Sequence, residues 1–459
     1  MDSGEVRVAA AAAAERISST THLGKRPRTL RGSNPDWVML DCFINHLSVD
    51  DSSRTTLAYE FTSTGDLIGV GFRAAAPPGT SRLFFDWFPN ANKKKGKRFR
   101  FRGDGRKDSS PWSPDAAKAV AAHRNSILLR FLLPTKGAIH EEFFIYRADP
   151  MTLTSLHTCG HTFINYDVGN NIGILCREDD GEFAVAHLTV TRKKGDWSSC
   201  PVTAQLCCML SQDGSWRTKC LPIRHGEGKG SDLFWWETDV VIPFGDFICW
   251  VDYLRGILFC DVFSPNPELR YVTLPVCPYD GRRHPELGGR GDLFAYRSVS
   301  VTKDGALKFV DAATSDLWFS PGHFYGPSAV TSWTLSSDWL TWTEDGMIEV
   351  DKFFALTTCL NLPCIQPGFP LVDIKDPQTI YFALKEGLCP NAKALLIPVN
   401  MLRKTLGWPI AYALRSSLSS GEGDSYTASC NLFYNEPFLS CEFSKYLGLD
   451  VPDTSNGLH

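Results

Sequence analysis

The feature that most constrains this chain is a recurring hairpin signature, an Asp-Gly pair between short runs of alternating apolar and polar residues. It occurs at Asp180-Gly181 in "GILCREDDGEFAVAHLTV", Asp213-Gly214 in "AQLCCMLSQDGSWRTKCLPI", Asp304-Gly305 in "RSVSVTKDGALKFVDA" and Asp345-Gly346 in "WLTWTEDGMIEVDKFF". Type I′ hairpin turns need φ > 0 at both central residues, which Asp and Gly tolerate. Almost no long stretch carries the 3.6-residue period of a helix. The expected fold class is therefore all-β, mainly antiparallel, with few short helices. The helix candidates are 113–124, "SPDAAKAVAAHR", with Ser113 and Pro114 suited to cap and first turn, and 399–407, "VNMLRKTLG".

The four Asp-Gly pairs are unevenly spaced, 33 to 91 residues apart, and the rhythm of short runs and turns continues for more than 300 residues after residue 110. All-β repeats of roughly 40–50 residues are the sign of propeller blades, which bury their faces by packing radially on one another. A β-propeller-like array of degenerate four-stranded blades fits this length better than a pair of β-sandwiches. The expected organisation is a disordered leader over 1–33, one propeller-like domain over 34–446 and a flexible tail over 447–459.

A composition of 43% hydrophobic and 21% charged residues is that of a globular chain, and the 12% aromatic share favours strands. A net charge of −4 excludes a polyanion binder that works through overall charge. The 15 cysteines are odd in number and sit mostly in apolar runs, which predicts reduced, buried thiols rather than a disulfide framework. There is no Asn-x-Ser/Thr sequon and no apolar run of the ~18 residues that a membrane span needs. The N-terminus lacks a signal-peptide layout. A cytoplasmic or nuclear, monomeric protein without membrane contact is expected, an organelle transit peptide being the alternative.

The most unusual segment is "KKKGKRFRFRGDGRK", 93–107, which carries Lys93, Lys94, Lys95, Lys97, Arg98, Arg100, Arg102, Arg106 and Lys107 against one Asp. On a strand, Arg98, Arg100 and Arg102 would share one face and Phe99 and Phe101 the other. That pattern suits a phosphate-tracking patch for nucleic acid. The favoured reading is a solvated, positively charged edge strand that resists edge-to-edge pairing, with both rings buried; a nuclear-import signal or a contact for an acidic partner is the remaining alternative.

Linear motifs for chemistry are weak. His157, Cys159 and His161 would share a strand face, but structural zinc needs a fourth ligand and no Cys-x₂-Cys occurs. Cys359 and Cys364 read as packed thiols in a loop. Gly69-Val-Gly71-Phe-Arg-Ala74 matches a dinucleotide fingerprint in letters only, because Pro77-Pro78 forbids the helix that the fingerprint needs. Gly226 to Gly230 lacks the Lys-Ser/Thr end of a phosphate loop, and no nucleophile elbow or metalloprotease helix appears. No catalytic residue, metal ligand or cofactor is therefore assigned.

The stretch "WVDYLRGILFCDVFSPNPELRYVTLP", 250–275, reads as two strands joined by a turn at Arg255-Gly256, with Gly256 supplying an unusual φ. Trp250 is a core candidate; Asp252, Asp261 and Arg270 could form one buried ion-pair or hydrogen-bond network between neighbouring strands. Together with Pro267 and Pro275 these residues resemble the core signature, about 230–370, of a grass-expanded plant family, domain of unknown function 1618. "NPDWVMLD" (34–41), "NSILLRFLLP" (125–134) and "EEFFIYRADP" (141–150) resemble further parts of it. The family distantly resembles the propellers that follow F-box motifs in plant ubiquitin-ligase receptors, but no F-box-like segment precedes residue 34. The resemblance implies a fold more than a function, with the signature residues in structural roles. A non-catalytic scaffold for an unknown protein partner is the expected function. A hydrolase using carboxylates in a propeller channel and a nucleic-acid binder using 93–107 are the alternatives.

Overall fold

The computed structural model describes residues 34–46, 56–89, 117–135, 138–156, 171–177, 181–192, 202–226, 230, 232–276, 293–312, 329–360, 362, 364–385, 394–412 and 438–448. The basic stretch 93–107, the His157–His161 cluster, the leader 1–33 and most of the proposed tail lie outside these residues.

Six four- or five-stranded units, mainly antiparallel, follow one another along the chain, the first two joined with the last strand into one nine-stranded sheet; two strand pairs are parallel, with Met39 opposite Thr80 and Ile223 opposite Leu269. The first holds β1 (Val38–His46), β2 (Ala58–Phe61), β3 (Leu67–Arg73) and β4 (Thr80–Phe88). The second holds β5 (Ala117–His123), β6 (Ser126–Thr135), β7 (Ala138–Arg147) and β8 (Thr152–Leu156). The third holds β9 (Ile172–Cys176), β10 (Phe183–Arg192), β11 (Val202–Leu210) and β12 (Trp216–Leu221). The fourth holds β13 (Ile223–Arg224), β14 (Val240–Phe244), β15 (Phe247–Asp252), β16 (Gly256–Cys260) and β17 (Leu269–Thr273). The fifth holds β18 (Arg297–Val301), β19 (Leu307–Asp311), β20 (Ala329–Leu335) and β21 (Trp342–Glu349). The sixth holds β22 (Gly368–Val372), β23 (Thr379–Lys385), β24 (Ala394–Asn400), β25 (Thr405–Leu406) and β26 (Ile410–Tyr412). A last strand, β27 (Leu439–Cys441), returns to pair antiparallel with β1, Met39 opposite Ser440.

Each unit is a blade, and the core shows that the blades close into a ring. Hydrophobic clusters fill successive interfaces between blades one and two, two and three, three and four, four and five, and five and six. A further cluster sets Trp37 and Met39 of the first blade against Leu371, Tyr381 and Leu396 of the sixth. A propeller needs this last interface, because without it two blade faces would stay in water. The period of two decides which interface a residue serves. Trp250, Leu258 and Cys260 face blade three, while Cys249, Val251, Ile257 and Phe259 face blade five. Burial on both faces explains the near-continuous apolar runs of β15 and β16.

The Asp-Gly turns at 213–214 and 304–305 are present, with Gly214 at φ 61 and Gly305 at φ 80. In the second, the amide of Gly305 donates to Thr302 O, and the Thr302 hydroxyl accepts the amide of Ala306. Gly181 has φ 64, and Asp180 lies outside the described residues.

Asp345-Gly346 is not a turn. It sits inside β21, where Gly346 opposes Ser332 and Glu344 opposes Trp333, so Asp345 bulges out of the ladder. Its carboxylate accepts from Ser332 Oγ at 2.7 Å and pairs with Lys308 Nζ at 3.0 Å. That bonding offsets the lost ladder pair and overrides the local turn preference. The chain reverses instead at 336–341, where Asp338 accepts the amide of Leu340.

The helix candidates are corrected as well. Residues 117–123 form β5, and pairing with β6 outweighs the helix propensity of alanine. Residues 401–404 are a turn after β24, in which the Arg403 amide donates to Asn400 Oδ1. The α-helix among the described residues is α1, Val350–Cys359, directly after β21; its buried Phe353 packs against Phe382 of blade six.

Candidate functional site

Four contacts set strands of neighbouring blades side by side. The amide of Cys176, at the end of β9, donates to Nδ1 of His123, at the end of β5. Gly173 near the start of β9 lies against Val241 near the start of β14. Gly368 at the start of β22 lies against Ala295 O just before β18, and the Lys303 amide just after β18 donates to Ile374 O just after β22. Among the described residues β9, β14, β18 and β22 each pair with a strand on one side only, so their other edges can turn to the axis of the ring.

Between β5, β14, β18, β22 and β27 lies a cavity of about 230 Å3. Its wall is mainly apolar, from Val241, Val299, Leu371 and Leu439, and it holds hydroxyls from β18 and β27, Ser298, Ser300 and Ser440. Arg124, Thr302, Lys303 and Glu442, each just past the end of its strand, also line it, as does His123. The charged lining residues among those described are thus two cations and one carboxylate, and the paired carboxylates of a hydrolytic channel are not among them.

Burial, reinforced by the charge of Arg124, lowers the pKa of His123 to about 3, so its imidazole is neutral at physiological pH. Because Nδ1 accepts the Cys176 amide, the neutral ring carries its proton on Nε2. Burial also raises the Cys176 thiol and the Tyr253 phenol, the nearby Asp239 carboxylate adding to the latter. Neither is an activated nucleophile.

The signature residues divide. Trp250 is fully buried and its Nε1 donates to Asn171 O at 2.8 Å. Asp252 and Arg255 form a buried ion pair, and Asp252 also accepts the amides of Leu254 and Glu237. Asp261 and Arg270 do not join them. Asp261 is half-buried and caps its own turn by accepting the amides of Phe263 and Ser264. Arg270 is exposed, with its guanidinium over the ring of Trp339. The second cation near the buried pair is Arg297, which donates to Tyr253 O at 2.6 Å and pairs with Asp311. Arg297 and Asp311 lie on different strands, so no local sequence pattern links them.

Gly256 begins β16 and lies outside the turn, which is 253–255. An added Cβ would sit 2.3 Å from Val272 O and 2.5 Å from the Tyr271 ring, so close approach requires the glycine there, not a positive φ. Pro267 is buried and Pro275 half-buried. Gly69 to Arg73 lie in β3, with no helix after them.

The described residues hold no cluster of three or more potential metal ligands, and none of their helices is long and apolar enough to cross a membrane. The ten described cysteines are free thiols.

On the outer rim of blade six, Pro398 interrupts the ladder of β24. Its carbonyl accepts the Gly407 amide, and on that same side it has no N–H to give. The fourth strand is accordingly split into β25 and β26, with Gly407-Trp408-Pro409 between them. Trp408 is 85% exposed, with Leu402 at 68% and Ile410 at 41% nearby in the chain.

No curated protein sequence matches the chain. Among solved structures, it is similar to a chain of the Mitotic Checkpoint Complex, at 8% identity and TM-score 0.31, covering 64% of this chain and 62% of that one. It thus spans less than two thirds of that chain's length. It is also similar to the WD40 domain of SCAP from fission yeast, at 11% identity and TM-score 0.30, covering 82% and 90%. A polysaccharide lyase, an ulvan lyase bound to a disaccharide unit, gives 9% identity and TM-score 0.31, covering 83% and 86%. At such scores the likenesses carry no argument, and the propeller-like assignment rests on the ring of blades itself. Residues 250–381, from β15 of blade four to β23 of blade six, match the model of the family described as "Protein of unknown function (DUF1618)", which supports the resemblance carried by Trp250 to Pro275.

Proposed function

We propose that the protein is a non-catalytic interaction module of that plant family, a rigid propeller-like scaffold that presents a docking surface to a protein partner. The observation that carries this reading is Trp408. Large, rigid aromatic side chains dominate the energy of protein interfaces when a partner covers them. Here one is held out from the rim by a strand break with a local cause, the proline in β24, and two exposed aliphatic side chains lie close to it in sequence. A partner with a complementary apolar socket, extended enough to follow the rim of β25 and β26, fits this surface.

The test is affinity capture with the full chain and with Trp408→Ser and Leu402→Ser variants, followed by binding measurements on purified components. A partner held by the native chain should lose about 2 kcal/mol or more of affinity to Trp408→Ser, with no change in melting temperature. Equal affinity for both forms would remove the rim of blade six from the reading.

A further inference from the structure

We infer that the rim of blade six takes an extended, acidic segment of its protein partner, with carboxylates close to the apolar side chains that cover Trp408. The site is the docking surface proposed at Trp408, and the assignment of its occupant rests on that reading.

The chain carries 51 acidic and 47 basic residues, yet residues 387–421 hold Lys393, Arg403, Lys404 and Arg415 and no Asp or Glu. Arg403 and Lys404 stand in the turn between β24 and β25, directly after exposed Leu402. Both are exposed, and neither side chain has an ion-pair partner among the described residues. Lys404 has φ 55, a left-handed conformation that glycine adopts at less cost. The position thus keeps a cation where the turn alone favours glycine.

Carboxylates on the neighbouring elements are engaged elsewhere. Met401 lies against Gly346 of β21, and its amide donates to Gln378 O just before β23. Asp345, beside Gly346, pairs with Lys308 Nζ at 3.0 Å. Glu349 pairs with Lys352 at 3.2 Å, and Asp376 accepts the Thr379 hydroxyl at 2.7 Å. None of them pairs with Arg403 or Lys404.

Cations and apolar side chains alternate along this rim, Leu402 first, then Arg403 and Lys404, then Trp408 and Ile410. A strand rises about 3.3 Å per residue, so the cationic turn and Trp408 lie ~13 Å apart along it. An extended partner segment matches that span with carboxylates about four residues from its apolar anchor. The aromatic contact supplies most of the energy, and the charges select the partner. A lipid surface would instead favour apolar side chains gathered on one face with the cations behind them.

The test uses two labelled peptides with the same Leu-Phe-Leu centre, flanked at both ends by serine spacers and then by paired glutamates in one and paired glutamines in the other. Fluorescence anisotropy is read with the full chain at low salt. The glutamate peptide should bind about fivefold more tightly, the gain of two exposed charge contacts, and the advantage should fade as salt rises. The double variant Arg403→Gln, Lys404→Gln should erase that advantage and leave the glutamine peptide unchanged. Trp408→Ser should weaken both peptides by about thirtyfold or more. Equal affinity for the two peptides, with both weakened by Trp408→Ser, would overturn the acidic occupant and leave the docking surface standing. Indifference of both peptides to Trp408→Ser would overturn the docking surface and the inference with it. Binding of neither peptide at millimolar concentration would also overturn the inference; sedimentation of the full chain with phosphatidylserine vesicles in that case would assign the rim to an anionic membrane.

Discussion

Arg255 reaches back to Asp252, with Nη1 3.0 Å from Oδ2 and both side chains inside the protein. The carboxylate also accepts the amides of Leu254 and Glu237, so it fixes the turn after β15 and the approach to β14 together. Removing one partner of a buried pair leaves the other charge without compensation, which costs about 3–5 kcal/mol. Arg255→Leu should be destabilised by that amount in urea unfolding. Asp252→Ala should lose at least as much, because two amides lose their acceptor as well. Adding the second substitution to the first should cost much less than it does alone. An Arg255→Leu variant of native stability would show that the pair contributes nothing.

Trp250 joins blades three and four by packing and by its Nε1–H bond to Asn171 O. Trp250→Ala should cost about 3–5 kcal/mol, as large-to-small aromatic core changes do. Trp250→Phe keeps much of the volume but leaves the Asn171 carbonyl without this donor, and should cost about 1–3 kcal/mol. A phenylalanine variant as unstable as the alanine variant would assign the effect to the lost Nε1–H bond and not to packing volume.

Two glycines test two different needs. At Gly256 a methyl group meets Val272 O and the Tyr271 ring, so Gly256→Ala should cost about 3 kcal/mol or more through overpacking against backbone. At Gly214 nothing lies within 4 Å, and φ is 61. Gly214→Ala should therefore cost only the left-handed penalty, about 1–2 kcal/mol. Thermal unfolding of the two variants checks the order, and the reverse order would contradict the steric reading of Gly256.

These positions also show how far the sequence could be read. The apolar run at 256–260 and the turns at Asp213-Gly214 and Asp304-Gly305 are local, and local patterns placed them in an all-β fold. The Asp345 bulge was not legible, because the groups that stabilise it, Ser332, Thr334 and Lys308, lie on two other strands. The strand at 117–123 was hidden by its alanines, whose helix propensity is overruled by β6. The pairing of Asp252 with Arg255 was obscured by Asp261 and Arg270, acidic and basic neighbours in sequence that point elsewhere. The cavity left no linear trace, since β5, β14, β18, β22 and β27 each give it only a few residues.

Closure of the ring depends on β27. Besides its pairing with β1, Ser444 Oγ donates to Pro35 O at 2.6 Å and Asn34 Nδ2 donates to Leu447 O at 3.2 Å. Phe443 packs between Phe72 and Tyr146, with ring centroids 5.1 and 5.0 Å away. Phe443→Ala should cost about 3–5 kcal/mol. Truncation before Phe438 should do more, exposing the faces of blades one and six and broadening the thermal transition. A truncated chain that unfolds as sharply as the full one would show that the ring does not need its last strand.

His187 gives the fold a dependence on pH. It lies in β10 opposite Cys207 and Ile172, is 4% exposed, and burial lowers its pKa to about 4. In the unfolded chain a histidine titrates near ~6.5. Between these values the unfolded state takes up a proton that the folded state does not, so stability falls as pH falls through this window. The contribution is complete above about pH 6.5 and is lost progressively toward pH 4, with a total near ~3 kcal/mol. His123, lowered to about 3, steepens the same acid limb. Urea midpoints measured from pH 7 to pH 4 should decline, and His187→Gln should decline less steeply whatever its stability at pH 7. Parallel slopes for the two proteins would mean that His187 is protonated in the folded state as readily as in the unfolded one.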